Sequence, residues 1–176
     1  VCYLFPIIYM IFDSIAQSAQ PIVSYNYGSG ATSRVNKTLR MALLTAASIG
    51  LLFLTCGQFV GSPVVSLFIA DKTSPAWELA TEGLKLFSLG FLFFGINIVS
   101  VGYFMSIENT NRAMLFTLFR GIVMFVVCFF VLPLRLGTSG IWLAVPVAEL
   151  LTTAGLALVT AIEKMPKRER LKRPVV

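Results

Sequence analysis

The sequence predicts an all-α polytopic membrane helix bundle, and three observations carry that fold class. The chain is 57% hydrophobic and 12% charged, with a mean hydropathy of +0.84, too apolar for a soluble domain of 176 residues. Its apolar residues gather into five runs of roughly 20 residues, the length that crosses about 30 Å of hydrocarbon at 1.5 Å per residue. Basic residues then alternate across those runs: Arg34, Lys37 and Arg40, then Arg112, then a basic tail all fall on one side.

The first span covers 3–23, with Pro6 and Pro21 near its ends and Asp13 near its middle. Gly28 and Gly30 close it, because glycine adopts the backbone angles that end a helix. A polar loop carrying Arg34, Lys37 and Arg40 follows, beside anionic headgroups. The second span is 41–60, divided by Gly61-Ser62-Pro63 from an interfacial segment over 64–70 and a hydrophilic loop over 71–82. Trp77 in that loop suits a membrane surface.

The third span, 84–107, holds Gly90, Gly95 and Gly102, small residues that let helices approach closely in lipid. Glu108 and Arg112 are spaced as an acid-to-base pair on one helical turn. The fourth span, 113–134, has one charge, Arg120, expected to reach headgroups from the near end, with Pro133 and Gly137 at its close. The fifth, 140–162, carries Trp142, Pro146 and Glu149 and leads into the tail 163–176.

The charge balance of +6 does not indicate nucleic acid, since the tail's six basic and two acidic residues leave +2 for the remainder. A basic run after an apolar helix suits anionic lipid instead. Cys2, Cys56 and Cys128 lack paired spacing and are expected as buried thiols. Histidine is absent, which removes the commonest metal ligand and general base, so neither metal chemistry nor an enzyme is expected. Gly28-Ser29-Gly30 lacks the preceding strand and third glycine of a nucleotide-binding fingerprint.

The candidate functional residues are the polar groups inside the spans. Asp13, Gln17, Gln20 and Ser24 recur at i, i+4, i+7 and i+11, one polar stripe on an apolar helix. A carboxyl at a helix centre costs about 2.5–3.5 kcal/mol on insertion scales, so Asp13 and Glu149 each need a partner or a wet cavity. Asn97 and Ser100 occupy the middle of the third span and suit interhelical hydrogen bonds as well as a pathway. Glu149 can equally be satisfied by a neighbouring helix or by Thr152 and Thr153. Phe91, Phe93 and Phe94 suit packing or a lipid face, and aromatics also line pockets for organic cations.

Several of these stretches resemble the multidrug and toxic compound extrusion (MATE) transporters. Gln20-Pro21-Ile22-Val23-Ser24-Tyr25-Asn26-Tyr27-Gly28, followed by Arg34-Val35, is similar to the exit of their eighth helix. Phe94-Gly95-Ile96-Asn97-Ile98 with Gly102-Tyr103-Phe104 resembles the tenth, Arg120-Gly121 the eleventh, and Gly140-Ile141-Trp142-Leu143-Ala144-Val145-Pro146 the twelfth. Met105 and Ser18 depart from the Gln and Gly common there, and some branches carry a cation-binding acid on the tenth helix, where Asn97 and Ser100 are the central polar groups of this chain. In other branches that acid lies on the first helix.

The resemblance implies helices eight to twelve of a twelve-helix secondary antiporter in the bacterial cytoplasmic membrane. It would export amphipathic or cationic compounds in exchange for H⁺ or Na⁺ by alternating access, with no other cofactor. Val1 opens inside an apolar run, so one more helix and a first six-helix lobe of the same chain are expected upstream as partners, together with membrane lipids. Asp13, Gln17, Gln20, Asn97, Ser100 and Glu149 would line the substrate or cation pathway. A lipid-linked oligosaccharide flippase of the same superfamily is the nearest alternative, but apart from Lys85 at the edge of the third span Arg120 is the single basic residue within a span, few for holding pyrophosphate. A non-transporting assembly subunit would have no use for the Asp13 stripe.

Topology is testable from charge alone. A reporter fused after Val176 is expected in the cytoplasm and one inserted between Asp71 and Glu82 outside. Recovery of both on the same side would rule out the three intervening crossings.

Overall fold

The computed structural model describes residues 4–164 as a helix bundle, and no strand occurs among them. Eight α-helices follow in order: α1 Leu4–Gly28, α2 Thr32–Phe59, α3 Gly61–Ser66, α4 Pro75–Ser88, α5 Phe91–Ser106, α6 Thr110–Leu118, α7 Phe125–Leu136 and α8 Thr138–Lys164. A π-helical segment, Phe119–Met124, joins α6 to α7. Most of the basic tail, and Cys2, lie outside the described residues.

Helix ends follow the local chemistry. α1 continues through Pro21 and stops where Gly30 takes φ 73°. There the Ala31 amide donates to Asn26 O at 2.9 Å and the Gly30 amide to Tyr27 O at 3.0 Å, the paired bonds of a Schellman motif. α2 begins only two residues later. Arg34, Lys37 and Arg40 therefore lie on its first turns, not in a polar loop. Ser74 caps α4, its hydroxyl accepting from the Trp77 amide at 3.3 Å with Pro75 at the first helical position. The loop expected over 71–82 thus ends at Ser74.

Three further expectations change. The break after α2 falls at Val60, and Gly61-Ser62-Pro63 opens a helix. The third span is two helices, α4 and α5, bent by 47° at Leu89 and Gly90. Glu108 sits at φ 58°, with the Asn109 amide donating to Phe104 O at 2.9 Å, so it terminates α5 and does not share a helical turn with Arg112.

Among the described residues, α2, the continuous α6–α7 rod Thr110–Leu136, and α8 are long and apolar enough to cross a membrane, and α4 with α5 makes a fourth if counted together. α1 has the length, at 25 residues, but is not in that set. Its Asp13, Ser14, Gln17, Ser18 and Gln20 dilute the apolar content. Met41, Leu52, Ile122, Phe130 and Leu158 are exposed on the outer faces, as lipid-facing residues would be.

α5 is the central wall. On one side Ile8, Phe12 and Ala16 of α1 and Ala42 and Ala46 of α2 pack against Phe91, Phe94, Ile98 and Val99 of α5. Phe91 and Phe94 are therefore core, not lipid face. On its other side α5 meets α8, which packs on α7 through Cys128, Ala144 and Ala148. Cys128 is buried as expected, but Cys56 is exposed. Polar bonds reinforce the seams: Gln58 Nε2 donates to Lys85 O at 2.8 Å and Ser88 Oγ at 2.9 Å, and Ser24 Oγ donates to Ser106 O at 3.0 Å.

α2 approaches α5 closely at Gly50, where a Cβ would stand 2.8 Å from both Leu92 Cα and the Phe91 carbonyl oxygen. Backbone cannot rotate aside, so Gly50→Ala is expected to destabilise the bundle by about 1–3 kcal/mol through overpacking. Gly155 on α8 has nothing within 4 Å of that point, so Gly155→Ala is expected to leave stability unchanged or raise it. Thermal unfolding in detergent reads both, and equal melting temperatures for the two variants would refute the close approach.

Candidate functional site

The polar groups that the structure gathers are carried by α5, α8 and the π segment. Asn97 is 1% exposed on α5 and faces α8. Its Nδ2 donates to Glu149 Oε2 at 2.7 Å and to the Glu149 carbonyl at 3.0 Å. Thr153, one turn further along α8, donates its hydroxyl to Asn97 Oδ1 and to the same carbonyl, each at 3.0 Å. The Glu149 carboxylate then takes a second donor, Arg120 Nε, at 2.8 Å from both Oε1 and Oε2.

Arg120 corrects the sequence reading. It does not reach toward headgroups but forms an ion pair with Glu149, and its guanidinium lies over the Phe94 ring at 4.7 Å. The cause is local backbone geometry. α6 starts at Thr110, which places Arg120 about 15 Å along the rod at 1.5 Å per residue, well inside an apolar layer. The π turn inserts an extra residue per turn and swings Arg120 inward to α8. A charge of each sign at mid-helix is stabilised by the other, and the stacked ring adds attraction where water is scarce.

The signal that could have found this pair was charge complementarity: Arg120 and Glu149 are oppositely charged residues within consecutive spans. Thr153 was legible as a neighbour of Glu149. Its partners are the Glu149 carbonyl and the Asn97 amide, not the carboxylate.

The pair borders an open cleft of about 590 Å³. Its walls are strongly aromatic, with Phe5, Phe87, Phe125, Phe129 and Trp142, and Arg120 and Glu149 supply its charged end. The arrangement offers apolar faces for a flat body and one polar anchor, the usual composition of a small-molecule site.

The remaining candidates lie elsewhere. Asp13 accepts a hydrogen bond from Gln17 Nε2 on α1, with Asp13 half-buried and Gln17 exposed, and neither is among the cleft's lining residues. Gln20 lies against α5 beside Gly102. Ser100 is buried on α5, but its hydroxyl is turned back to the Ile96 carbonyl at 2.7 Å. The structure therefore brings Asn97 and Glu149 together, and leaves Asp13, Gln17, Gln20 and Ser100 outside their network.

Comparison with curated proteins and with solved structures returns no match. The family model described as MatE matches residues 2–130, which takes in Asn97 and Arg120 and stops short of Glu149. That match spans well over half the sequence and falls on a bundle of lipid-length apolar helices, so the chain belongs to the MatE family of multi-pass membrane transporters.

Proposed function

We propose that the chain forms helices eight to twelve of an antiporter that exports amphipathic or cationic organic compounds in exchange for H⁺ or Na⁺ by alternating access. The observation that carries this reading is the aromatic cleft ending on Arg120 and Glu149, because a passive membrane anchor has no use for a hollow lined by rings with a charged end. α1 supplies the fifth crossing, its polar stripe of Asp13, Gln17 and Gln20 turned to protein or water, not lipid. An odd number of crossings places the C-terminus on the cytoplasmic side with Arg34, Lys37, Arg40 and Arg112. A first lobe of the same transporter and the surrounding lipids are its partners.

In this scheme Glu149 and Asn97 belong to the pathway, while Asp13 exchanges the coupling cation from α1. The test is export of fluorescent amphipathic dyes of either charge from cells carrying the whole transporter, with H⁺ and Na⁺ gradients collapsed separately. Export is expected to stop with one of the two gradients. Asp13→Asn is expected to insert at the wild-type level and lose most gradient-driven export, and Glu149→Gln to lose at least about tenfold, the scale of one charge-assisted contact. Export that survives collapse of both gradients would end the antiport reading. Wild-type export by Asp13→Asn would make Asp13 structural.

A further inference from the structure

The Arg120 guanidinium has five N–H donors, and Glu149 engages it through Nε alone. Among the described residues no acceptor meets Nη1 or Nη2, although Arg120 lines the cleft. Its face is taken by Phe94. What remains is the end-on edge formed by the two Nη groups, a fork whose spacing matches the two oxygens of a carboxylate.

Glu149 is in the opposite condition. Its carboxylate already accepts from Arg120 and Asn97, it is 6% exposed, and its charge is compensated at 2.8 Å. A cation entering the cleft would have to displace Arg120 to reach it, whereas an anion meets donors that are not spent. The neighbouring surfaces are rings and aliphatic side chains, Phe87, Phe125, Phe129, Trp142 and Val145, which suit the flat body of an aromatic compound.

We infer that this cleft binds an aromatic amphiphile bearing a carboxylate, held end-on by Nη1 and Nη2 of Arg120 with its apolar body against Phe125, Phe129 and Trp142. The inference rests on the cleft being a substrate site and narrows the class of compound it takes. Glu149 is then a positioning residue: it fixes Arg120 so that the unpaired edge faces the ligand. Asn97 and Thr153 fix Glu149 in turn.

Calorimetric titration of the purified whole transporter in detergent, corrected for protein-free micelles, tests this with three ligands of one body: naphthalene acetate, its methyl ester, and naphthylmethylammonium. The carboxylate is expected to bind at least about tenfold tighter than either of the others, the scale of a charge-assisted bidentate contact. Arg120→Gln alone would strand a buried carboxylate and threaten folding, so the informative variant is Arg120→Gln with Glu149→Gln, which keeps the pair neutral. It is expected to bind the three ligands within about threefold of one another, while Arg120→Lys retains part of the preference.

Equal or tighter binding of the ammonium compound, or a carboxylate preference that survives in the double variant, would overturn the assignment. So would displacement of naphthalene acetate by phosphatidylglycerol at lower concentration, which would make a lipid phosphate the occupant. Absence of binding by all three removes the assignment and leaves the export reading to the gradient experiment.

Discussion

The ion pair between Arg120 and Glu149 is the constraint on which the two halves of this bundle depend. α1, α2 and α5 share one apolar core, and α7 with α8 share another. Between them stand Asn97, Glu149, Thr153 and Arg120, so the seam is held by directional bonds. In lipid there is little hydrophobic force between helices, and directional polar contacts and close packing decide which faces meet. Removing one member of a buried pair leaves the other uncompensated, typically at about 3–5 kcal/mol. The pair specifies the register of α8 against α5 as well as stabilising it.

Phe94 links that seam to the apolar core. Its ring receives the Arg120 guanidinium on one face. It also makes edge contacts with Phe5, Tyr9 and Phe12 of α1, at centroid separations of 5.2, 6.1 and 5.9 Å. An aromatic ring has a negative face and a positive edge, so a cation on the face and tilted rings around it are mutually compatible. A shift of α1 would therefore be felt at Arg120 through a single side chain. Near the bend between α4 and α5, Gly90 abuts Pro146 of α8, where an added Cβ would stand 3.0 Å from Pro146 Cα. Packing and polar contacts thus meet along the same face of α8.

The features legible in the sequence were those with local causes. Apolar length marked the helices, Gly30 and Gly137 marked ends through positive φ, and mid-span polarity singled out Asn97 and Glu149. What stayed hidden depended on contacts far apart in the chain. Asn97 and Glu149 are 52 residues apart, and no periodicity within either helix announces their bond. Arg120 was misread because its depth depends on where α6 begins and on a π turn, neither of which hydropathy records. The start of α2 was misplaced for a different reason. Arg34, Lys37 and Arg40 read as loop by charge, yet lysine and arginine are good helix formers, and the Schellman turn lets α2 start at once.

The π turn also makes chain length between Thr110 and Leu136 a structural quantity in its own right. A π segment holds one residue more than the α-helix it interrupts. Deleting a single residue from 119–124 would let the rod close into uninterrupted α-helix, because a π turn takes one residue more to wind through the angle of an α turn. The side chains of α7 would then keep their faces, Cys128 against α8 and Phe130 outward, and the change would fall on Arg120, whose inward swing toward Glu149 the π turn supplies. In evolutionary terms, a one-codon deletion here is a local event that leaves the packing of α7 in place and removes the turn that presents Arg120. Aligned sequences of this stretch should therefore lose the extra residue and Arg120 together.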